Sequence, residues 1–462
     1  MRLSFFIHIN EGKGQGAGRL YRLIHNIGGY LAAVTVCLLI ICGLQAALLD
    51  RDGAEEIRQN EREDDRIDRE DEESKEEPIE VNNPDIRVLI MSTGYQNIVH
   101  PEVTVTSQSG ILIESGQGQE ECGAGQQLTV KPDDARFTGG AIRLQAEDGG
   151  DLTLVSIERG CGQPSYAGVL ELRTTAEGIV VINELPVETY LCRVVPSEMP
   201  ASFELEALKA QAVCARSYAY RQMAEYGYPE YEAHVNDSTD YQVYGNSASQ
   251  ESAVRAVEET AGQVARYQGQ VVTTYYYSTS CGKTTSLEAW GTAPDEQNQY
   301  LQSVEVKDEE GDYEKDLPWY RWEARIPVQT LSNLAGLNLK QDLGTLQSVE
   351  VTKTGPGGVA LQVTFTGDKG SAEVETENKI RSAFGGSGYE IVKQDGTAAS
   401  SSALLPSAFF TIEKDGDSFV IHGGGYGHGI GMSQNGANEM AKKGKNYQEI
   451  LQLFYQGIEI GA

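Results

Sequence analysis

Glu198 stands between two prolines, in Pro196-Ser197-Glu198-Met199-Pro200. Proline fixes φ and disfavours helix at the residue before it, so this pentapeptide is expected to be a stiff loop between elements. An acid on a rigid joint suits general acid catalysis, which demands placement before it demands a tuned pKa. The alternative is an acid that simply favours the positive end of the following helix. A second polar group sits on glycine: Gly423-Gly424-Gly425-Tyr426-Gly427-His428-Gly429-Ile430-Gly431. This run lacks the GxGxxG register, the Walker lysine and a βαβ setting, so it is not a phosphate loop. Its glycines imply backbone packed closely against another surface, with turns at positive φ. Polar residues on such loops are more often functional than those on helix faces, which singles out His428, Ser433 and Gln434. For His428, hydrogen-bonded packing is an equal alternative.

The elements that position these residues form an α+β pattern: short antiparallel strands with a central helical segment. Arg87–Met91, Glu102–Thr106 and Gly110–Glu114 read as strands separated by Gly, Asn and Ser turns, and more strands follow to Ile182. Helix dominates from Pro186 to Tyr226. There Leu205, Leu208, Ala212, Ala215, Ala219 and Tyr226 recur at helical spacing as a core stripe, with Ser202 as its cap and Glu204 and Glu206 at its positive end. Val271–Ser278 returns to strand. Leu346–Val351 and Ala360–Thr366 form a hairpin around Gly355-Pro356-Gly357-Gly358, and Asn446 with Glu449 makes a capping box for a last helix.

At 462 residues the chain holds one large or two ordinary domains. A formal charge of −31 argues against nucleic acid as a partner, because phosphate binding relies on Lys and Arg clusters. Ile27 to Leu49 is uncharged and mostly apolar, and its 23 residues at about 1.5 Å each match a hydrocarbon core of about 30 Å. Arg2, Lys13, Arg19 and Arg22 precede it against Glu11 alone. The positive-inside rule then makes 1–26 a cytoplasmic tail, 27–49 a single transmembrane helix, and the remainder an ectodomain on the extracytoplasmic side of the cell membrane. A cleaved signal peptide ending near Ala46 is the competing reading, with a shorter apolar region of about 7–15 residues. Residues 50–85 read as an acidic linker. Asp50 to Glu80 carries sixteen acids and six bases, a net of −10, and cannot bury enough surface to offset its ordering entropy. Outside the membrane disulfides are permitted, and Cys122 with Cys161 and Cys192 with Cys281 are the pairings that spacing and context suggest.

Four blocks surround the acid in order: Asn183–Leu191, Val194–Pro200, Glu206–Ala212 and Ala215–Ala219, reading NELPVETYL, VVPSEMP, EALKAQA and ARSYA. A fifth lies far downstream, Gly425–Ala437, reading GYGHGIGMSQNGA. Together they resemble the SpoIID/LytB family, the stage II sporulation protein D homologues of spore-forming bacteria. The resemblance covers about Ser165 to the C-terminus and more loosely Ile86 onward. It divides the ectodomain into an N-terminal β-rich region, 86–164, and a catalytic domain, 165–462. Gln242-Val243-Tyr244 and Ser278–Thr284 match further family motifs, which adds Gln242, Tyr244, Ser280 and Thr284 as substrate-binding candidates. In this family the glycine loop resembles one wall of the cleft, so His428, Ser433 and Gln434 would position sugar and shape the acid's environment. Arg216 would hold a carboxylate or anchor the cleft, with a buried structural arginine the equal alternative. Tyr275, Tyr276 and Tyr277 would offer a sugar-stacking face, although alternation sends Tyr276 to the opposite side, so at least one belongs to the core.

The resemblance implies a lytic transglycosylase acting on peptidoglycan strands whose stem peptides an amidase has removed, in sporulation and engulfment. Glu198 would be the catalytic residue. The implied partners are glycan strands, a cell-wall amidase and sporulation membrane proteins. Two other readings stay open: a non-catalytic, glycan-binding enhancer of a cell-wall amidase, and a hydrolytic glycosidase in which Glu188, Asp237 or Asp240 activates water. No cofactor is expected. Some members carry Cys and His for zinc in the stretch corresponding to His234–Tyr244, but that stretch has no Cys here, and His422 and His428 lack compact ligand spacing. Cys214 falls where the family usually has a small residue, as a buried, inert thiol. Cys192 and Cys281 are local variants, Ser217 replaces a common Thr, and 115–163 carries no family signature.

Overall fold

The computed structural model describes residues 79–462, so the apolar segment Ile27–Leu49 and the linker through Pro78 lie outside the described residues. Within 79–462 no helix is long and apolar enough to cross a membrane. The fold is mixed α+β, with many short antiparallel strands and, among the described residues, seven α-helices.

Period-two patterning builds the strands. Val103–Thr106 buries both valines and leaves its threonines half-buried, as a one-faced strand should. Ile179–Pro186 buries nearly every residue because it lies inside an eight-stranded sheet, flanked antiparallel by Asp85–Ile90 and Val169–Thr174. The sheet continues from Val169–Thr174 to Ile142–Ala146, Ile111–Ser115 and Gly118–Cys122. Val235–Asn236 extends it in parallel at the other side, and Val99–His100 pairs with Ile179–Pro186. Strands from 86–164 and from 165 onward therefore share one sheet, and their side chains share one core. The boundary expected at 164 is not a packing boundary.

Two helices follow the central strand: α1, Val187–Glu198, and α2, Leu205–Gln222. The pentapeptide around Glu198 is not the loop expected from its prolines. Pro196 and Ser197 lie in the last turn of α1 and Glu198 is its final residue. Pro196 gives no N–H to the helix ladder but lies so near its end that few bonds follow, and Ser197 Oγ donates to the Arg193 carbonyl at 2.6 Å. Pro200 acts as anticipated, holding Met199 extended at φ −131°, ψ 135° and stopping the helix. Ser202 does not cap α2: its N-cap is Glu204, without a side-chain cap. Leu208, Ala212, Ala215 and Ala219 are buried as the stripe required, whereas Tyr226 lies beyond the helix, 47% exposed and stacked on His234. The expected strand Val271–Ser278 survives only as Gln270–Val271 and Tyr276–Tyr277. Between them the backbone turns to serve other partners, such as Tyr275 O accepting from Met432 N at 3.0 Å.

The chain then adds α3, Glu251–Glu259, and a second core around Trp322, Ile326, Leu331, Phe365, Phe384 and Phe419. Into that core pack α4, Val328–Asn338, α5, Glu377–Ala383, and the expected hairpin, seen as Leu346–Thr354 paired with Ala360–Gly367. The C-terminal helices α6, Gln434–Lys442, and α7, Tyr447–Phe454, return to the first core, and α7 starts with the Asn446–Glu449 capping box. All five cysteines from Cys122 onward are free thiols, so neither expected disulfide is formed. Cys161 Sγ instead faces the Gly245 carbonyl and Cys192 Sγ the Glu188 carbonyl. Cys214 is buried against the Tyr455 hydroxyl, and burial lifts its thiol to about 12.

Candidate active site around Glu198

The end of α1 carries Glu198 into the junction of three segments. Its Oε1 accepts the Val243 N–H at 2.6 Å, and its carboxyl is hydrogen-bonded by the Tyr276 side chain. Gln434, the first residue of α6, donates from Nε2 to the Glu198 carbonyl at 3.1 Å. The residue keeps a partly exposed edge while protein encloses its carboxyl. Burial pushes the acid up to about 7, against the two hydrogen bonds that favour the anion. Such an acid is part protonated at neutral pH, able to give a proton and then take one.

A short relay supports it. Tyr190 donates to Gln242 Oε1 at 3.3 Å, and Gln242 Nε2 donates to the Tyr276 hydroxyl at 3.3 Å, leaving that hydroxyl's proton for Glu198. Gln242 is thus buried behind the site, and the Glu198 contact within its motif is the Val243 backbone. The chain departs from even alternation before Tyr276, and this brings its ring to the acid. Tyr277 is core, and Tyr275 packs edge-on against Trp290. Because the Tyr276 hydrogen bond holds the acid down, Tyr276→Phe is expected to move the alkaline limb of a cleavage rate–pH profile to higher pH. A limb left in place, or moved lower, would remove Tyr276 from the site.

The glycine loop packs as its composition required. At Gly431, φ +72°, an added Cβ would lie 2.1 Å from the Tyr275 carbonyl, and at Gly427, φ +113°, it would lie 2.7 Å from Tyr277 Cβ. This approach brings His428 against the tyrosine strand. Ile430 N–H donates to His428 Nδ1 at 3.1 Å, so the proton resides on Nε2, which donates to the Tyr276 carbonyl at 3.0 Å. Burial lowers the imidazole to about 4. His428 is a neutral strut that holds the backbone of Tyr276.

Several expected substrate-binding residues are buried and engaged with protein. Arg216 is 0% exposed and grips Glu188 through Nε and Nη2, each at 2.7 Å, while also donating to the Gln263 and Val257 carbonyls. Arg216 thus holds a carboxylate, as one reading had it, and does so as a buried structural arginine. Tyr244 donates to Asn183 Oδ1 at 2.7 Å inside the core. Thr284 Oγ1 accepts from Val304 N at 2.9 Å. Ser280 and Ser433 converge on a carboxyl that the sequence did not mark, Glu314. Its Oε1 accepts from Ser280 N at 2.9 Å and Ser433 Oγ at 2.7 Å, and its Oε2 from Ser280 Oγ. Glu314 is fully buried, and burial raises it to about 7 despite these donors. It ties the turn after Tyr276–Tyr277 to Ser433, the cap of α6. The two segments delivering Tyr276 and Gln434 are therefore fastened to each other. The only sequence signal for Glu314 was indirect, two serines in distant motifs needing a shared acceptor.

The alternative water-activating carboxylates are also occupied. Glu188 is held by Arg216, and Asp237 is fully buried against Arg159 at 2.6 Å, the Arg159 guanidinium lying 4.3 Å from the Tyr95 ring centroid. Asp240 accepts from Asn236 Nδ2 at 2.9 Å. In the stretch His234–Tyr244, His234 Nδ1 accepts the Arg87 N–H at 3.0 Å, and burial lowers the ring to about 4. His422 is exposed beside Glu323, on a strand apart from His428.

Residues 175–267 match the model of the stage II sporulation protein family, and 277–431 match a domain of unknown function. The stage II sporulation protein D of Bacillus subtilis is 31% identical over 319 residues, which span 64% of this chain and 83% of that protein. This chain belongs to the stage II sporulation protein D family. An uncharacterized protein of Brachyspira hyodysenteriae is 31% identical over 322 residues, 69% of this chain and 76% of that protein. The amidase enhancer of Bacillus subtilis is 30% identical over 287 residues, 57% of this chain and 39% of that protein. The site straddles the two matched regions. Glu198 and Val243 lie in the stage II sporulation segment, whereas Tyr277, Glu314 and His428 lie in the uncharacterised one. Gln434 comes after both.

Proposed function

We propose that this chain is a membrane-anchored lytic transglycosylase of the cell wall that cuts peptide-stripped glycan strands, with Glu198 serving as both acid and base. The observation that carries the reading is a carboxyl raised to about 7 on a partly open residue, whereas Glu314, raised alike, is fully buried and Glu188 and Asp237 are locked in ion pairs. Protonated Glu198 donates to the glycosidic oxygen as the bond from muramic C1 to that oxygen breaks, releasing the next sugar as an alcohol. The Glu198 carboxylate then takes the proton of the muramic 6-hydroxyl as that oxygen bonds to C1. A 1,6-anhydro ring closes, the acid is regenerated and no water enters.

The full-length chain, incubated with peptide-stripped strands, is expected to yield products lighter by one water than hydrolytic fragments, read by mass spectrometry. Reducing ends in their place would assign hydrolysis instead. The likeness to an amidase enhancer favours one second reading, a glycan-binding protein that stimulates a cell-wall amidase. An uncut substrate together with raised amidase turnover would select it. The family supports a place in sporulation. The uncharged stretch Ile27–Leu49 behind a basic tail supports a single-pass anchor with residues 79–462 outside the membrane.

A further inference from the structure

The glycine loop also presents a surface that the acid site does not use. Tyr426, between Gly425 and Gly427, is 41% exposed, and its ring centroid lies 4.8 Å from that of Trp319. Trp319 belongs to a single turn, Pro318–Tyr320, whose backbone is fastened to the loop by Gly425 N donating to the Trp319 carbonyl at 2.9 Å. Over the Trp319 ring, 5.0 Å from its centroid, stands the Lys393 ammonium. Arg321 follows on the same turn, its guanidinium 3.9 Å from the Tyr320 ring centroid and bonded to the Cys281 carbonyl at 3.0 Å. A Cβ added at Gly424 would meet Arg321 Nη1 at 3.0 Å, so this cation abuts the loop as well.

Two properties set this patch apart. In a chain of net charge −31, neither Lys393 nor Arg321 pairs with a carboxylate among the described residues, whereas Lys443 is held by Asp308 and Glu310. Tyr426 leaves much of its ring in solvent, whereas Trp319 is half-buried against the second core. An exposed ring stacked on a half-buried one, beside cations outside any ion pair, matches a ligand with a flat C–H face and a negative charge. A pyranose ring supplies the first, and the lactyl carboxylate of a peptide-stripped muramic residue supplies the second. Continuity with the acid supports the same occupant: Tyr426 is two residues from His428, which holds Tyr276, which hydrogen-bonds Glu198.

We propose that Tyr426, Trp319 and Lys393, flanked by Arg321, form a glycan-binding shelf that stacks a sugar of the strand on the aromatic rings and pairs its free carboxylate with Lys393. The inference rests on the glycan reading of the Glu198 site, but it does not need that site to cut. Binding is measured with the full-length chain carrying Glu198→Gln, so that bound strands stay intact. The probes are peptide-stripped glycan strands and, as a neutral comparator, chitin oligosaccharides of equal length. Tyr426→Ala is expected to weaken both ligands about tenfold, equivalent to ~1.4 kcal/mol, with Tyr426→Phe restoring affinity. Lys393→Gln is expected to weaken only the carboxylate-bearing strands and to flatten their salt dependence. Tyr426 is exposed and Lys393 half-buried, and an unchanged unfolding midpoint confirms an intact fold. Wild-type affinities in both variants would overturn the shelf even if the chain cuts glycan. Lost binding in both, from a chain that yields no anhydro ends, would keep the shelf and discard the cleavage chemistry.

Discussion

Glu198→Gln is expected to lower glycan cleavage by about 10³-fold, within the range for loss of a positioned general acid. The amide keeps the shape and the Val243 and Gln434 contacts but has no proton to donate. In the parent, cleavage is expected to fall as pH rises through about 7, where the acid loses its proton. The same shift sets a stability effect of the same sense. Folded Glu198 keeps its proton to about pH 7, whereas an unfolded carboxyl releases it near 4.5. The favourable share is therefore fully present below about 4.5 and is lost as pH rises through 7, on the order of 3 kcal/mol from this group. Glu198→Gln removes that loss, so its unfolding midpoint at pH 8 is expected to equal or exceed the parent's. A variant that cuts well, or an inactive one that has unfolded, would separate Glu198 from the chemistry.

Arg216→Met is expected to destabilise the fold by about 3–5 kcal/mol, the largest stability effect of any site residue, because it strands the Glu188 carboxylate beside α2. Denaturant titration reads this as a lower midpoint with an unchanged slope. The partner test is a double variant, Arg216→Met with Glu188→Leu. It is expected to lose clearly less than the sum of the two single changes, since neither charge is then left alone. Additive losses would mean that the guanidinium acts mainly through the Gln263 and Val257 carbonyls. A stable Arg216→Met chain with weakened glycan binding would return Arg216 to the cleft.

Local rules were strongest where one residue's geometry decides the outcome. The glycine run foretold close approach, and Gly431 stands against the Tyr275 carbonyl because no side chain fits there. The Asn446–Glu449 box and the Gly355–Gly358 hairpin formed as their turn chemistry required. The prolines around Glu198 misled, because Pro196 is compatible with the last turn of a helix and only Pro200 imposes a stop. The cysteine pairings failed because spacing along a chain does not bring thiols together. Cys192 and Cys281 lie on different elements, each facing a backbone carbonyl.

What the sequence by itself determined is the family, the α+β character and the prominence of Glu198, since these are carried by contiguous motifs and local periodicity. Tertiary structure alone decided which polar residues face the acid and which serve the fold. Ser280, Ser433 and Arg216 look like binding groups when read singly, yet the serines meet the buried Glu314 and Arg216, itself buried, meets Glu188 from the preceding helix. A buried charge must find its partner wherever the chain returns, and no local pattern records that return. The acidity of Glu198 is of the same kind: it comes from segments 45 to 236 residues away closing over one carboxyl and excluding water.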